Sequence, residues 1–283
     1  MQIVDNAKNQ LEFKISYYLR WLYRISFKRL LKSHIRFELL SPVYSTQQCL
    51  LDNHQKSQFN IKIRDKIDMA VISQVFFSED YGISSLAQSN KIISTYNNLV
   101  KNGKKPLILD IGANSGMASV YFARDYPEAT IIGIEPDNGN FQLAQANTAL
   151  YQNVTMIKAG ISNVDGKGSI TNADVNAGTE NWAFQTEMSD TGDLVMLSVN
   201  SILKKYSDEN TVPFLVKIDI EGFEKNLFSS ATQWVDQFTL LIIELHDWML
   251  PNTANSSGFL KCISQLNRDF VYRGENIFSI KNS

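Results

Sequence analysis

From Pro106 onward the chain repeats one order of segments: a short apolar run, a turn of small residues, a helical segment and another apolar run. This order is typical of parallel βαβ units, because a crossover between parallel strands needs a long connection, usually a helix. The apolar runs are "LILDIG", "TIIGIE", "VTMIKA", "FLVKIDI" and "TLLIIEL", followed by a pair around "FVYRG" and "IFSI". We therefore predict a doubly wound α/β domain over residues 106–283.

The remaining residues, 1–105, are assigned to an N-terminal helical extension and cap, because 283 residues exceed what one such domain needs. A formal charge of -2 gives no reason to expect nucleic acid as a partner. Cys49 and Cys262 lie far apart in sequence, which argues against a disulfide framework and a zinc site. The sequence shows neither a signal-peptide pattern nor an apolar run of membrane-spanning length, so we expect a cytoplasmic protein.

One segment of the extension, Leu11 to Phe37, has the pattern of a basic amphipathic helix. Its apolar residues recur at helical spacing, and its charged residues are almost all basic: Lys14, Arg20, Arg24, Lys28, Arg29, Lys32 and Arg36. Two interpretations remain open. The helix packs on the domain with a solvated basic face, or it lies on the anionic inner face of a membrane, with Trp21 and Tyr23 at the interface.

A candidate cofactor turn occurs in "LILDIGANSG", at the end of the first strand of the predicted domain. Gly112 and Gly116 lack a Cβ, so the backbone can turn tightly and approach a ligand. A nucleotide-type ligand is expected at the carboxyl end of such a strand. The spacing differs from the GxGxxG of dinucleotide enzymes, and a sulfonium ligand suits it better than a diphosphate. We assign to this ligand Asp110, Gly112, Ala113, Asn114, Ser115 and Gly116.

The next strand ends in an acidic residue, Glu135, within "TIIGIEPDNGNF". An acid at this place accepts both ribose hydroxyls of an adenosine, so the two elements together favour an adenosine cofactor contacted by Glu135 and Pro136. The alternative is purely structural: Glu135 caps the following helix and Gly112 only turns the chain.

Two later strands carry charged residues that would be unfavourable to bury unpaired. The run "FLVKIDIEGFE" contains Lys217, Asp219 and Glu221. The run "TLLIIELHDW" carries Glu244, His246 and Asp247 towards its end. We predict that these side chains meet a ligand or each other.

Taken together, "DIGANSG", "IEPDNGNF" with Asn147, "VKIDIEGFE" and "IELHDW" resemble the FkbM family of methyltransferases over about Ile108 to Trp248. The resemblance implies the class I methyltransferase (Rossmann-like) fold, a doubly wound seven-stranded sheet, mostly parallel, with an antiparallel last strand and strand order 3-2-1-4-5-7-6. It implies S-adenosyl-L-methionine as methyl donor, and many members modify sugars of glycans or natural products. Asn138, Ala144 and Tyr151 depart from the usual pattern in ways that concern helix packing.

In such a sheet the strands carrying Asp219 and Glu244 are neighbours, so these residues should converge with Glu221 and His246 beside the methyl group. We predict O-methylation of a sugar or polyol hydroxyl with His246 as proton acceptor, helped by Asp219 and Glu244. Lys217 is expected to pair with Asp219, and Glu221 to contact the substrate. Two alternatives remain: His246 is structural, or Asp219, Glu244 and His246 hold a divalent metal.

Two regions are expected to border the acceptor. The stretch from Ser41 to Lys105 is interpreted as helices and loops that cover the nucleotide site, with "VFFSEDYG" supplying substrate-side contacts. The polar stretch "NADVNAGTENWAFQTEMSDTG" is too long for a simple connection and is interpreted as a lid or binding loop. Its Trp182 would stack on a sugar or, alternatively, cover the core.

Two functions other than methyl transfer share some of these features. A nucleotide-dependent oxidoreductase or epimerase would also use a glycine turn and an acidic ribose ligand, but the chain lacks the Gly-x-Gly step and a Tyr-x-x-x-Lys pair. A non-catalytic, membrane-docked scaffold would leave the charged residues on the fourth and fifth strands without a task. The acceptor itself stays open among sugars, lipid-linked glycans, polyketides and amides.

Overall fold

The computed structural model of the chain describes residues 35–43, 45–172 and 184–282. The chain divides into two units, Met1–Phe77 and Ser78–Ser283. The predicted basic helix lies almost wholly outside the described residues, so its contact with a membrane stays a prediction. Its last residues are described, and there the prediction is wrong: a strand, not a helix, begins at Phe37. Arg36, predicted on the solvated basic face, is buried, with its Nη2 atom 3.5 Å from Oδ2 of Asp52.

The described part of the first unit is built around a small antiparallel sheet. Its strands, in sheet order, are β1 (Phe37–Leu39), β2 (Gln47–Asp52) and β3 (Ser57–Lys62). Helix α1 (Lys66–Ile72) and a π-helical turn (Ser73–Phe77) follow. The sequence predicted helices and loops here, and the strands correct it. Phe59 and Ile61 are buried and alternate with exposed residues, the two-residue period of a strand with one covered face.

A seven-stranded sheet forms the centre of the second unit. Its strands are β4 (Lys105–Ile111), β5 (Thr130–Glu135), β6 (Val154–Lys158), β11 (Thr211–Ile218), β12 (Leu240–Glu244), β13 (Arg268–Arg273) and β14 (Asn276–Lys281). The order across the sheet is β13-β14-β12-β11-β4-β5-β6. Strand β14 runs antiparallel to both of its neighbours, β12 and β13, and the other neighbouring pairs of this sheet are parallel. Read from β6, this is the predicted order 3-2-1-4-5-7-6, and all seven predicted strands are present.

The central strands are apolar along nearly their whole length because parallel strands are covered on both faces. Leu107, Leu109, Val216 and Leu241 are fully buried in one core cluster. The connecting helices are α2 (Ser89–Lys101), α3 (Met117–Asp125), α4 (Asn138–Thr148), α5 (Val199–Tyr206), α6 (Glu224–Leu227) and α7 (Ser257–Ile263). Residues 78–105, which the sequence assigned to the cap, group with this unit. Within the described ranges, no helix is long and apolar enough to cross a bilayer.

A second sheet in the same unit was not predicted. It has the order β7-β10-β8-β9, with β7 (Gly160–Ser162), β8 (Gly166–Asn172), β9 (Phe184–Met188) and β10 (Leu194–Ser198). The polar stretch interpreted as a loop therefore contributes β9, because its residues find backbone partners along β8. Trp182 lies outside the described residues, and its role stays a prediction.

Candidate active site

The glycine turn after β4 brings two strand ends into contact. Gly112 has a φ of +75°, and a Cβ placed there would lie 1.7 Å from the carbonyl oxygen of Asp219. The backbone nitrogens of Gly112 and Ala113 donate to the carbonyl of Ile134, at 3.0 Å and 2.9 Å. The turn is therefore fastened to β5 and packed against the end of β11. A side chain at position 112 would separate these elements.

The second glycine of the turn permits close helix packing. Gly116, with φ +76°, precedes α3, and a Cβ there would lie 2.9 Å from Cα of Ala144 in α4. The carbonyl of Ser115 accepts a 2.9 Å hydrogen bond from Nδ2 of Asn147. The buried Oγ of Ser115 makes no hydrogen bond with any described residue. Ser115 and Gly116 therefore fix the turn through their contacts with α4.

Glu135 ties the turn to the end of β5. Its carboxylate accepts hydrogen bonds from the backbone nitrogens of Asn114, at 2.8 Å, and Asp137, at 3.0 Å. Burial raises the pKa of Glu135 to about 7, although these hydrogen bonds oppose the shift. The helix that follows is capped by Asp137, whose carboxylate accepts from the backbone of Asn140. Asp137 therefore fills the helix-capping role considered for Glu135.

A cleft of about 550 Å³ opens beside this turn. Its walls come from the ends of β4, β5 and β11 and from the second sheet, which adds Gly160, Ile161 and Thr186. The assigned residues that border it are Gly112, Asn114, Glu135, Pro136, Asp219 and Glu221. The assigned residues that do not border it are Asp110, Ala113, Ser115, Gly116, Lys217, Glu244 and His246. A cleft at the carboxyl ends of the central strands is where open α/β sheets bind ligands.

Lys217 is a buried cation held between two carboxylates. Its Nζ atom donates to the carbonyl of Gly112 at 2.7 Å and lies 3.3 Å from Asp219 and 3.5 Å from Asp110. Burial alone would lower the pKa of Lys217, but the neighbouring Tyr81, Asp219 and Asp110 outweigh it and raise the pKa. Lys217 therefore stays charged and contacts Asp219, as predicted. Asp110 also accepts a 2.6 Å hydrogen bond from Ser119. Asp110 therefore contacts both Ser119 and Lys217, and it does not border the cleft.

His246 lies at the centre of four carboxylates. Its Nδ1 atom is 2.7 Å from Glu224, and its Nε2 atom is 3.5 Å from Glu221, 3.5 Å from Glu244 and 3.7 Å from Asp219. Burial alone would lower its pKa, but the hydrogen bonds with Glu224 and Glu244 and the surrounding charges raise the pKa of His246 to about 11. At neutral pH this imidazole is an imidazolium.

Two carboxylates of this cluster, Glu221 and Glu244, have raised pKa values. Burial, together with the negative charges of Asp219 and Glu244, raises the pKa of Glu221 to about 8. Burial also raises the pKa of Glu244, opposed by its hydrogen bond with His246. Glu221 has a φ of +52°, a conformation that is strained for a residue with a side chain. The strained turn places Glu221 on the cleft wall.

Ligand atoms suited to a cation occur in the same cluster. Asp219, Glu221 and His246 each offer one atom, and these atoms lie within 4.8 Å of one another. The predicted metal set named Glu244 in place of Glu221, and Glu244 lies outside the group that this geometry forms.

Glu224 was missed from the sequence although it ends the quoted run "VKIDIEGFE". It is fully buried, and it also accepts hydrogen bonds from Asn255 and from the backbone of Gly222. One signal was present in the sequence: the charged Glu224 stands close to the apolar residues Leu227 and Phe228, which the structure buries. An acid buried beside such residues needs a hydrogen-bond or ionic partner.

Comparisons with known proteins identify the family. The family model described as "Methyltransferase FkbM domain" matches residues 110–272, more than half of the 283-residue chain. A curated relative, methyltransferase sdnD of Sordaria araneosa, is 39% identical over 54 residues, which cover 19% of this chain and 21% of the relative. This chain thus matches about a fifth of the relative's length.

Solved structures of methyltransferases are also similar, at low scores. The precorrin-6y C5,15-methyltransferase of Geobacter metallireducens GS-15 has 12% identity and a TM-score of 0.36, covering 70% of this chain and 92% of that chain. TrmK of M. capricolum, in complex with S-adenosyl-homocysteine, has 12% identity and a TM-score of 0.32, covering 66% of each chain. At such TM-scores these similarities add nothing to the assignment. Because one family model accounts for the chain from Asp110 to strand β13, the chain belongs to the FkbM methyltransferase family.

Proposed function

We propose that the chain transfers a methyl group from S-adenosyl-L-methionine to a hydroxyl of a sugar or similar polyol. The observation that carries the proposal is one cleft bordered by Glu135 at one strand end and by Asp219 and Glu221 at another. The donor supplies an electrophilic methyl group on a sulfonium sulfur. The residues of the chain bind and orient the two reactants and accept the proton that the hydroxyl loses.

The residues around the turn fit an adenosine donor. A carboxylate has about four acceptor sites, and the backbone nitrogens of Asn114 and Asp137 together with Nδ2 of Asn140 occupy three sites on Glu135. Acceptor capacity therefore remains for a ribose hydroxyl on the cleft side. Gly112 brings the backbone to the cleft without a side chain. Asp219 supplies a partly exposed carboxylate for the ammonium group of the donor.

On the acceptor side we assign the proton to Glu221 and not to His246. The imidazolium loses its proton only towards pH 11, whereas Glu221 loses its proton near pH 8, and His246 does not border the cleft. Glu221 borders the cleft, and a carboxylate with a pKa of about 8 is a stronger base than an ordinary one. The positive charge of His246 keeps the cluster of acids together. The original prediction, His246 as acceptor, remains the alternative.

An exposed aromatic ring supports a sugar as the acceptor. The side chain of Trp248 is 62% exposed, and its ring centroid lies 6.3 Å from that of His246. A flat apolar face beside several partly exposed carboxylates suits a polyol, which has C–H faces and hydroxyl donors. Replacing Trp248 by Ala should raise the KM for a sugar acceptor about tenfold, and Phe should restore most of it. Donor affinity should stay unchanged in both variants.

A divalent cation at Asp219, Glu221 and His246 is a second candidate for the cluster. Asp219, Glu221 and His246 offer two carboxylate oxygens and one imidazole nitrogen within 4.8 Å of one another, ligand types that divalent cations bind. A cation there would have to displace the proton of His246, whose pKa is about 11. Treatment with a chelator, followed by Mg²⁺ or Mn²⁺, tests this candidate: lost and restored activity would establish it.

Calorimetric titration with S-adenosyl-L-methionine and with NAD separates methyl transfer from the oxidoreductase or epimerase alternative. We expect binding of the first at about micromolar affinity and none of the second. Labelled donor should then be incubated with methyl glycosides that are neutral, acidic or amino-substituted. Incorporation into a neutral glycoside supports the proposal. Binding of NAD alone, or donor binding without transfer to any hydroxyl compound, would contradict it. Transfer to an amide would correct the acceptor class.

A further inference from the structure

Strand β13 is an edge strand of the seven-stranded sheet, with β14 as its neighbour on one side. Just before β13, the carbonyl of Asn267 accepts a hydrogen bond from the backbone nitrogen of Asn282. Hydrogen-bonded and non-hydrogen-bonded pairs alternate along antiparallel strands. The backbone N–H and C=O groups of Phe270 and Tyr272 therefore point away from β14. Among the described residues, no backbone group pairs with them.

The same two residues expose their aromatic rings. Phe270 is 48% exposed and Tyr272 is 75% exposed. Side chains two residues apart lie on one face of a strand, so the two rings are neighbours. An edge strand with exposed apolar residues is a template for another strand, and proteins often protect such edges with lysine, proline or a bulge. Strand β13 contains none of these three devices.

The run from Asp269 to Arg273 is complementary to itself when it pairs antiparallel with a second copy. A twofold axis at Val271 would place Phe270 of one chain opposite Tyr272 of the other. Each such pair would exchange both of its backbone hydrogen bonds, because the groups of both residues point outward. The same axis would place Asp269 opposite Arg273. Opposed aromatic residues and opposed unlike charges both stabilise antiparallel strands.

The charges distinguish this register from its two symmetric neighbours. Shifting the axis by one residue towards the C-terminus would place Asp269 opposite Glu275, which is also an acid. Shifting it by one residue towards the N-terminus would place Asp269 opposite Val271, where it has no ionic partner. An axis at Val271 therefore gives the most favourable pairing.

Asp269 and Arg273 keep capacity for a partner in spite of their contacts within the chain. Asp269 accepts hydrogen bonds from Gln88 at 3.1 Å and from Asn282 at 2.9 Å. Arg273 donates to two backbone carbonyls, at 2.5 Å and 3.0 Å. A carboxylate has about four acceptor sites and a guanidinium about five N–H groups. Both side chains are partly exposed, so a second chain can reach the remaining groups.

We propose that the protein forms a homodimer in which β13 pairs antiparallel with β13 of a second copy, about a twofold axis at Val271. The large sheet would then continue from one chain into the other. This inference is independent of the proposed methyl donor and acceptor, so either can fail without the other.

Sedimentation equilibrium of the full chain, from about 1 to about 100 μM, measures the association. We expect a monomer–dimer equilibrium. Tyr272→Lys should raise the dissociation constant of the dimer about tenfold or more, because one ring is lost from each of the two aromatic pairs. Leu150→Lys is the matched control: it replaces another exposed apolar side chain, outside β13, and should leave the constant unchanged. Thermal unfolding checks that both variants fold.

Cysteine cross-linking tests the register. A cysteine at the axis faces its own copy at a separation that a disulfide can span. Val271→Cys should therefore form a disulfide-linked dimer under mild oxidation. Tyr272→Cys should be linked no faster than the parent chain, whose own cysteines are Cys49 and Cys262.

A chain that stays monomeric up to about 100 μM would overturn the proposal. So would a dimer that Tyr272→Lys leaves intact, since it would form through another surface. Preferential linking of Tyr272→Cys over Val271→Cys would show a different register and overturn the proposed one. A monomer that binds phosphatidylcholine vesicles, and loses this binding in Tyr272→Lys, would assign the edge to a lipid surface and not to a second copy.

Discussion

The Nδ1 atom of His246 lies 2.7 Å from Oε1 of Glu224, a carboxylate that is completely buried. The other ring nitrogen of His246 faces three further acids, and Glu221 on the cleft wall is one of them. Glu224 therefore fixes both the orientation and the charge of the imidazole, although it does not border the cleft.

Replacing Glu224 by Gln should lower the pKa of His246 and destabilise the fold, because the buried imidazolium loses its closest anion. We expect the free energy of unfolding to fall by roughly 1–3 kcal/mol. NMR titration of the imidazole, in the presence of chelator, measures the pKa of His246, and urea unfolding measures the free energy of unfolding. Glu209→Gln, at an exposed site, is the matched control. A pKa of His246 that does not move would mean that Glu224 has no influence on its charge.

The stability of the ligand-free protein should fall as pH rises. The folded-state pKa values of about 7 for Glu135, 8 for Glu221 and 11 for His246 all exceed the ordinary values. The folded state thus binds more protons than the unfolded state. The stabilisation from His246 is complete below its ordinary pKa and is lost towards pH 11, whereas the penalty for charging the two glutamates grows above their ordinary pKa.

Urea unfolding at about pH 6 and about pH 9 should therefore differ by at least about 2 kcal/mol, with the lower stability at the higher pH. Equal stability at the two pH values, or higher stability at pH 9, would show that these groups titrate normally.

The proton acceptor can be identified by comparing Glu221→Gln with His246→Gln. Glu221→Gln should lower turnover about a hundredfold or more while donor affinity stays nearly intact. Turnover of the wild type should rise with pH through about 8, as Glu221 loses its proton. Single-turnover rates and donor titrations of both variants provide the measurement. Near-normal turnover in Glu221→Gln, with a large loss in His246→Gln, would return the role to the histidine.

Gly112→Ala should be far more harmful than Gly103→Ala. Both glycines have positive φ, +75° and +71°, so both variants carry backbone strain of about 1 kcal/mol. Only at position 112 would the Cβ also meet another atom, the carbonyl oxygen of Asp219 at 1.7 Å. We expect a loss of at least about 3 kcal/mol there, with weaker donor binding. Comparable losses in the two variants would show that the turn yields easily.

Glu135→Gln should change stability and donor affinity in opposite directions. Removing a buried charge should stabilise the ligand-free protein by about 1–2 kcal/mol at pH 8. The same change should weaken binding of adenosine ligands about tenfold, because a carboxylate acceptor for the ribose is lost. Thermal unfolding and calorimetry measure the two effects. Glu128→Gln, at an exposed position, should change neither. Undiminished affinity in Glu135→Gln would remove Glu135 from the donor site.

The sequence by itself determined the large sheet. Its four central strands, β4, β5, β11 and β12, are nearly continuous apolar runs because both faces of the sheet are covered there, and such runs can be recognised without knowing what packs on them. Gly112 and Glu135 could also be assigned from the sequence, because a turn and the end of a strand are local features. The structure places both residues on the cleft.

Tertiary structure decided what depends on partners distant in sequence. Strand β9 pairs with β8 along a run whose local composition resembles a loop, and β2 and β3 are strands because they pair with each other. The charge of His246 was not predictable from its own segment alone, because it also depends on Asp219 and Glu224, which lie elsewhere in the chain and meet the buried ring only in the fold. Electrostatic energies depend on distances and burial through the fold, and a single sequence contains neither.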